Sequence, residues 1–139
     1  MIEGLIFAKH LTIKIMKNID KIQFSEELKS RTRTFVLNVI KLIGQLPKRK
    51  EAWIIGDQLM RSSSSVGANY RAACRGRSKK EFYAKMCIVV EEADETEWWL
   101  DILIASEILN TDFTKSLHAE SLEILKIMAT IRKNTNVND

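Results

Sequence analysis

The chain carries its densest set of reactive side chains in an acidic run in its second half. Six carboxylates fall between positions 91 and 101, namely Glu91, Glu92, Asp94, Glu95, Glu97 and Asp101. Helical bundles hold two metal ions with such carboxylates, but those sites also need Glu-x-x-His pairs from two helices. The chain has only His10 and His118, and neither follows a glutamate by three residues. The run therefore indicates a solvated or intersubunit acidic face, and we expect no metal.

Four consecutive serines, Ser62 to Ser65, are the most prominent candidates for a hydroxyl nucleophile. On a helix, successive side chains point about 100° apart, so these hydroxyls cannot share one site. No glycine-flanked elbow surrounds them, and neither histidine belongs to a motif that would make it a base. The glycines and Lys79 also lack the spacing of a phosphate-binding loop. We therefore expect no enzyme activity and no cofactor, and we interpret the serines as small side chains that let helices approach closely.

Basic side chains are the remaining functional lead. Arg71 and Arg75 lie four residues apart on one face of a predicted helix, and Arg77, Lys79 and Lys80 follow at the next turn. Such clusters bind phosphate backbones through charge neutralisation and counterion release, without a motif that reads sequence. A solvated basic face is the other interpretation, since the formal net charge is only +4.

The helix that carries the first two arginines is predicted from about 51 to 75. Its packed face repeats at helical spacing through Ile55, Leu59, Ser62, Val66, Tyr70 and Ala73. Gly76 is placed to take the left-handed conformation that ends a helix, and Ser78 with Glu81 forms a capping box for the next one. Asn69 lies at the border of the packed face, where a hydrogen bond to another helix would satisfy its amide.

Three further helices complete the prediction. The first begins after Ser25 and ends at Pro47, the third covers about 79 to 107, and the fourth covers about 112 to 133. Their apolar seams repeat every seven residues and their loops are short, which favours an all-α, up-down-up-down antiparallel four-helix bundle. We assign residues 25–134 to the bundle, residues 1–24 to an N-terminal extension of uncertain structure, and residues 135–139 to a frayed tail.

The third helix has more apolar surface than one seam needs. Trp98 and Trp99 are adjacent, so they point about 100° apart and cannot fill the same groove. We therefore expect these two tryptophans at the interface of a homo-oligomer. A broad core within one chain is the alternative, because aromatic side chains beside a seam can also lie along a neighbouring helix.

Length and composition narrow the class of protein. With 139 residues, the chain is long enough to bury one core without disulfides or a metal. Cys74 and Cys87 lie on separate predicted helices without the spacing of metal ligands, which indicates reduced thiols in a cytoplasmic protein. Charged residues interrupt the apolar N-terminal segment, so we expect neither a signal peptide nor a membrane span.

Three segments of the sequence resemble a known family. They are Val66-Gly-Ala-Asn-Tyr-Arg-Ala-Ala73, Gly76-Arg-Ser-Lys-Lys-Glu-Phe82 and Val90-Glu-Glu-Ala-Asp-Glu-Thr96. Over roughly residues 26–134 the chain resembles the bacterial four helix bundle protein family, which includes proteins encoded in 23S rRNA intervening sequences and accessory proteins of diversity-generating retroelements. For some members the resemblance implies a barrel-shaped homopentamer with a basic surface. Many relatives have Ala-Asn-Ile-Ala-Glu-Gly where this chain has Ala68-Asn-Tyr-Arg-Ala-Ala73, so the glutamate and glycine of that pattern are missing here.

The leading hypothesis is a non-enzymatic, ring-like homo-oligomer that binds structured RNA or DNA, and the resemblance implies that the oligomer is a pentamer. The binding residues would be Arg71, Arg75, Arg77, Lys79 and Lys80. The resemblance implies a role beside a reverse transcriptase or an rRNA insertion element. The alternative is an oligomeric scaffold without nucleic-acid binding, in which Arg71 and Arg75 pair with the acidic third helix of an adjacent subunit.

Overall fold

A computed structural model describes residues 1–138, and Asp139, the last residue of the predicted frayed tail, lies outside the described residues. Four helices account for most of this range: α1 (Ile2–Ile43), α2 (Lys50–Cys74), α3 (Lys79–Ala105) and α4 (Asp112–Asn134). No strand is present among the described residues, so the predicted all-α class with four helices is confirmed. Between residues 1 and 138, no helix is both long and apolar enough to cross a membrane.

The beginning of the first helix differs from the prediction. That helix was expected to start after Ser25, but α1 is continuous from Ile2. The reason is that residues 2–24 contain no proline and only one glycine, so nothing stops the helix from extending beyond the bundle. Ser25 does not cap α1; instead its Oγ lies 3.2 Å from the Sγ of Cys74 on α2. We call residues 2–24 the arm.

The core forms along the predicted seams. On α1 the buried residues are Leu28, Thr32, Phe35, Val39 and Leu42, and on α2 they include Ile55, Leu59, Ser62, Val66, Tyr70 and Ala73. The other two helices bury the same kind of stripe, with Met86, Val89, Ala93, Thr96, Leu100 and Leu103 on α3 and Leu117, Ser121, Ile124 and Met128 on α4. Each helix packs against its neighbours in the chain, and α1 also packs against α4. The four helices therefore enclose one core, which residues 1–24 do not enter.

Small residues of α2 let it approach α1 and α3 closely. A Cβ atom built on Gly67 would lie 3.2 Å from Oγ1 of Thr32 on α1, and one built on Gly56 would lie 2.8 Å from Cδ1 of Leu46. On the other side of α2, Ser62 Oγ accepts a hydrogen bond of 3.0 Å from Oγ1 of buried Thr96. These contacts agree with the interpretation of the small residues as sites of close helix approach.

The turn between α2 and α3 differs from the prediction at Gly76. No glycine in residues 1–138 has a positive φ, so the predicted left-handed conformation is wrong. Glycine is favoured here by space instead, because a Cβ atom would lie 3.0 Å from the carbonyl oxygen of Ala73. The predicted cap of α3 is confirmed, since the amide of Glu81 donates to Ser78 Oγ at 3.1 Å. The carboxylate of Glu81 accepts from the amide of Arg77 at 2.6 Å, one residue before the position expected in a capping box.

Asn69 bonds within its own helix rather than to another one. Its Nδ2 donates to the carbonyl oxygen of Ser65, one turn earlier on α2, at 2.9 Å. The side chain is only half-buried, so it does not need a partner on a neighbouring helix. A bond between helices was expected only for a buried amide, and Asn69 does not meet that condition.

Tyr70 closes the core where the arm leaves the bundle. Its side chain is buried, and it adjoins both Ser25 and Cys74. Burial disfavours the ionised phenolate and raises the pKa of Tyr70 to about 12.

Gly67→Leu should destabilise the bundle because the new side chain must displace the buried Thr32. We expect the free energy of unfolding to fall by about 1–3 kcal/mol, as in other overpacked cores. Ala68→Leu is the matched control, since Ala68 is exposed and its variant should stay within about 0.5 kcal/mol of the parent. Urea denaturation measures both, and equal losses in the two variants would contradict the close approach at Gly67.

Tyr70 should make stability fall at high pH. Because its folded pKa lies above the ordinary value, the unfolded chain ionises first, and the contribution of Tyr70 is complete below pH 10 and is lost towards pH 12. The loss should be up to about 2 kcal/mol over this range. Tyr70→Phe should remove this part of the pH dependence, whereas Tyr83→Phe, at an exposed position, should keep it. Denaturation curves at several pH values provide the comparison.

A candidate nucleic-acid interface between two helices

The predicted site residues Arg71 and Arg75 line a groove between α1 and α2. Lys29 and Arg33 of α1 line the same groove. The two helices run antiparallel at close range, because Gly67 of α2 lies against Thr32 of α1. Each helix therefore contributes two cations that are four residues apart, and both members of each pair lie on its groove-facing side.

Small and aliphatic side chains form the rest of the groove. They are Thr32, Val36 and Leu37 from α1 and Ser64, Gly67, Ala68 and Ala72 from α2. The groove is open and has a volume of about 470 Å³. Because the α2 residues are small, the arginine side chains extend beyond them, and the floor of the groove is shallow and mostly apolar.

The charges around the groove are unbalanced. Lys29 forms an ion pair of 2.8 Å with Glu26, the one carboxylate that lines this part of the surface. Within residues 1–138, Arg33, Arg71 and Arg75 form no ion pair. The hydrogen bond and charge of Lys29 lower the pKa of Glu26, and the charge of Arg71 adds to the effect. The groove therefore presents a net positive surface with three uncompensated guanidinium groups.

The other predicted binding residues lie outside this groove. Arg77, Lys79 and Lys80 are exposed on the turn after α2 and on the first turn of α3, but they do not line the groove. Sequence reasoning missed Lys29 and Arg33. Their four-residue spacing repeats that of Arg71 and Arg75 and could have signalled them, but the contact between α1 and α2 was needed to place the pairs together.

Three of the six carboxylates of the acidic run of α3 have partners in the same chain. Arg61 of α2 binds Glu92 at 3.2 Å and also pairs with Glu95. The hydrogen bond from Arg61 lowers the pKa of Glu95, and the indole of Trp99 donates a second bond of 3.1 Å to it. On the opposite side of α3, Glu97 pairs with His118 at 2.8 Å. These carboxylates therefore connect α3 to both of its neighbours.

The two tryptophans of α3 have different surroundings. Trp98 is 54% exposed, whereas Trp99 is half-buried against the core and bonded to Glu95. Trp98 is thus the more accessible of the two for a contact with another molecule.

The hydroxyls of three of the four consecutive serines bond within α2. Ser62, Ser63 and Ser64 donate to carbonyl oxygens of their own helix, over 2.7–3.3 Å. No group of three or more His, Cys, Asp or Glu residues between positions 1 and 138 could hold a metal ion.

Comparisons with known proteins agree with this architecture. Residues 25–130 match the family described as 23S rRNA-intervening sequence protein. The chain belongs to this family. The resemblance noted in the sequence is thereby confirmed, and the matched residues begin where the arm joins the bundle.

A solved structure supports the assignment. It is the crystal structure of a protein of unknown function from the S23 ribosomal protein family of Bacteroides thetaiotaomicron. The two chains are 32% identical, the match covers 77% of this chain and 99% of that one, and the TM-score is 0.70. No curated protein matches the chain.

Proposed function

We propose that this protein is a non-enzymatic, cytoplasmic, cofactor-free binder of structured RNA or DNA that contacts the phosphate backbone through the groove between α1 and α2. The observation that carries the proposal is the convergence of Lys29, Arg33, Arg71 and Arg75 on one groove with a single carboxylate beside them. Guanidinium groups are planar donors that fit phosphate oxygens in pairs, and three of the four cations are arginines.

The lining of the groove favours contact with the backbone over the reading of bases. No aromatic side chain lines it, so it lacks the stacking platforms on which unpaired bases are held. It also lacks the asparagine and glutamine side chains that read adenine, so guanine is the base whose edge its arginines could read. Binding should therefore depend strongly on salt and show little sequence preference beyond guanine. Arg77, Lys79 and Lys80 on the adjoining turn extend the same basic end of α2 and supply further phosphate contacts.

The family name suggests a context for this activity. A relation to 23S rRNA intervening sequences fits a protein that recognises structured RNA by shape and charge. The same surface would serve an accessory factor of a reverse transcriptase, whose template and product also present phosphate backbones.

Self-association belongs to the proposal. The exposed side chains Ile88 and Trp98 leave apolar surface on α3 that a second subunit would cover. If the same contact repeats around an axis, it closes a ring, and the resemblance to the family implies five subunits. The alternative is a scaffold in which Arg71 and Arg75 pair with α3 of the next subunit. In this alternative, fewer carboxylates of α3 are free to pair with Arg71 and Arg75 than the sequence suggests, because Glu92 and Glu95 already pair with Arg61. It then depends on Glu91 and Asp94, which are exposed.

Reversing the charge of Arg71 and Arg75 separates the two functions. We expect Arg71→Glu with Arg75→Glu to keep the oligomer and to lose binding to a structured RNA hairpin. The affinity of the parent should fall with salt, with a log-log slope of about −0.9 for each duplex phosphate neutralised. Lys48→Glu with Lys50→Glu makes the same change of net charge at the other end of α2 and should bind nearly as the parent does. Gel filtration and binding titrations at several salt concentrations test this, and dissociation of the Arg71/Arg75 variant would support the scaffold instead.

Trp98 tests the proposed assembly. Trp98→Asp should reduce the mass measured by light scattering, because a carboxylate would be buried in the contact between subunits. Trp53→Asp is the control, since Trp53 is similarly exposed, at 59%, but lies on α2. A monomeric parent, or equal masses for the parent and the Trp98 variant, would exclude α3 as the interface.

A further inference from the structure

The arm is helical but touches none of the core, and it exposes many large apolar side chains. Leu5 is 72% exposed, Ile15 52%, Ile19 55% and Ile22 58%. Such surface is costly in water, and a folded protein normally covers it with a partner. The question is which partner fits.

Some of the exposed apolar residues of the arm, though not all of them, follow a heptad pattern. With Leu5 taken as position a, the a and d positions are Leu5, Ala8, Thr12, Ile15, Ile19 and Ile22. These steps of three and four residues continue across about three heptads, which is the spacing of a coiled-coil seam. None of the six side chains is charged.

The residues around this seam also fit a coiled coil. The flanking e and g positions are Lys9, Leu11, Met16, Asn18 and Gln23, so nearly all of them are neutral. The lysines of the arm's middle and base, Lys14, Lys17 and Lys21, fall at c and f, the outer positions. Two arms facing each other would therefore bury apolar surface while keeping these charges in water.

The seam ends where the arm enters the bundle. The next a and d positions are Glu26, Lys29 and Arg33, and Glu26 and Lys29 form an ion pair with each other. An apolar partner helix would bury no further apolar surface beyond this point. The pairing surface is thus confined to the arm and leaves the basic groove open.

We propose that the arm binds the arm of a second copy of this chain as a coiled coil. An uncharged seam requires an uncharged, apolar partner with the same spacing, and the arm itself has that pattern. The exposed face of α3 fits less well, because Glu91 and Asp94 would lie beside the uncharged seam. This contact is separate from the proposed interface at Trp98, and it does not depend on nucleic-acid binding.

Paired substitutions in the arm test the proposal on the full chain. In Ile15→Ala with Ile22→Ala, the seam loses two isoleucines from each copy, and association should weaken by about a hundredfold or more. The matched control is Ile6→Ala with Ile13→Ala, which removes two isoleucines of the same arm from the outer b positions. Both pairs put alanine, the best helix former, in place of isoleucine, so loss of helix cannot explain a difference between them.

Sedimentation velocity across a dilution series measures the association. We expect the control to dissociate at the same concentration as the parent and the seam variant to dissociate at a much higher one. In the background of Trp98→Asp, the parent arm should still give a dimer or small oligomer, which separates this contact from the one on α3. The proposal is overturned if the seam and control pairs behave alike, or if the Trp98→Asp chain is monomeric. Binding of that monomer to anionic lipid vesicles would instead identify a membrane surface as the partner of the arm.

Discussion

The close contact between α1 and α2 is the constraint on which the candidate site depends. At Gly67 the two helices approach so closely that even a methyl group would crowd Thr32. This approach fixes the relative position of two pairs of cations that are some 40 residues apart in the chain. Without this contact, Lys29 and Arg33 on α1 would lie apart from Arg71 and Arg75 on α2, and the four cations would not line one groove. The glycine and the small residues around it thus shape the candidate site through packing, because they set how closely the two helices that form the groove approach.

The ion pairs of the bundle determine where positive charge remains. Arg61 shares a helix with Arg71 and Arg75, but it lies against Glu92 and Glu95 of α3 and is neutralised there. Arg71 and Arg75 face α1 instead, where Glu26 is the carboxylate that lines the adjoining surface. The net charge of +4 is therefore not spread evenly. The side of α2 that faces away from α3 carries Arg71 and Arg75, and together with Lys29 and Arg33 of α1 it is one surface where cations outnumber carboxylates.

Much of the fold follows from sequence periodicity, whereas the site needed contacts between helices. The seams of all four helices and the cap at Ser78 could be predicted, because apolar spacing and capping are local properties. Lys29 and Arg33 could not, since their importance depends on which helix lies next to α1. The prediction of a positive φ angle at Gly76 was wrong, because lack of space for a Cβ atom, rather than a left-handed turn, favours glycine there. The helical structure of the arm could not be predicted, because the arm contributes nothing to the core and its heptad seam is out of register with the buried stripe of α1.

The continuity of α1 through the bundle boundary has a consequence for how the chain folds. A free helix must first order a turn at considerable cost, and segments of about 20 residues are marginal by themselves in water. Here the buried half of α1 supplies that first turn, so the arm can add residues one at a time onto an existing template. In a molecule whose arm is unpaired, its backbone amides should then exchange with solvent progressively faster from Leu28 towards Ile2, as the fraying end of a helix does. The arm would be the last part of the chain to become ordered, and its helix would exist only on molecules whose bundle has already folded.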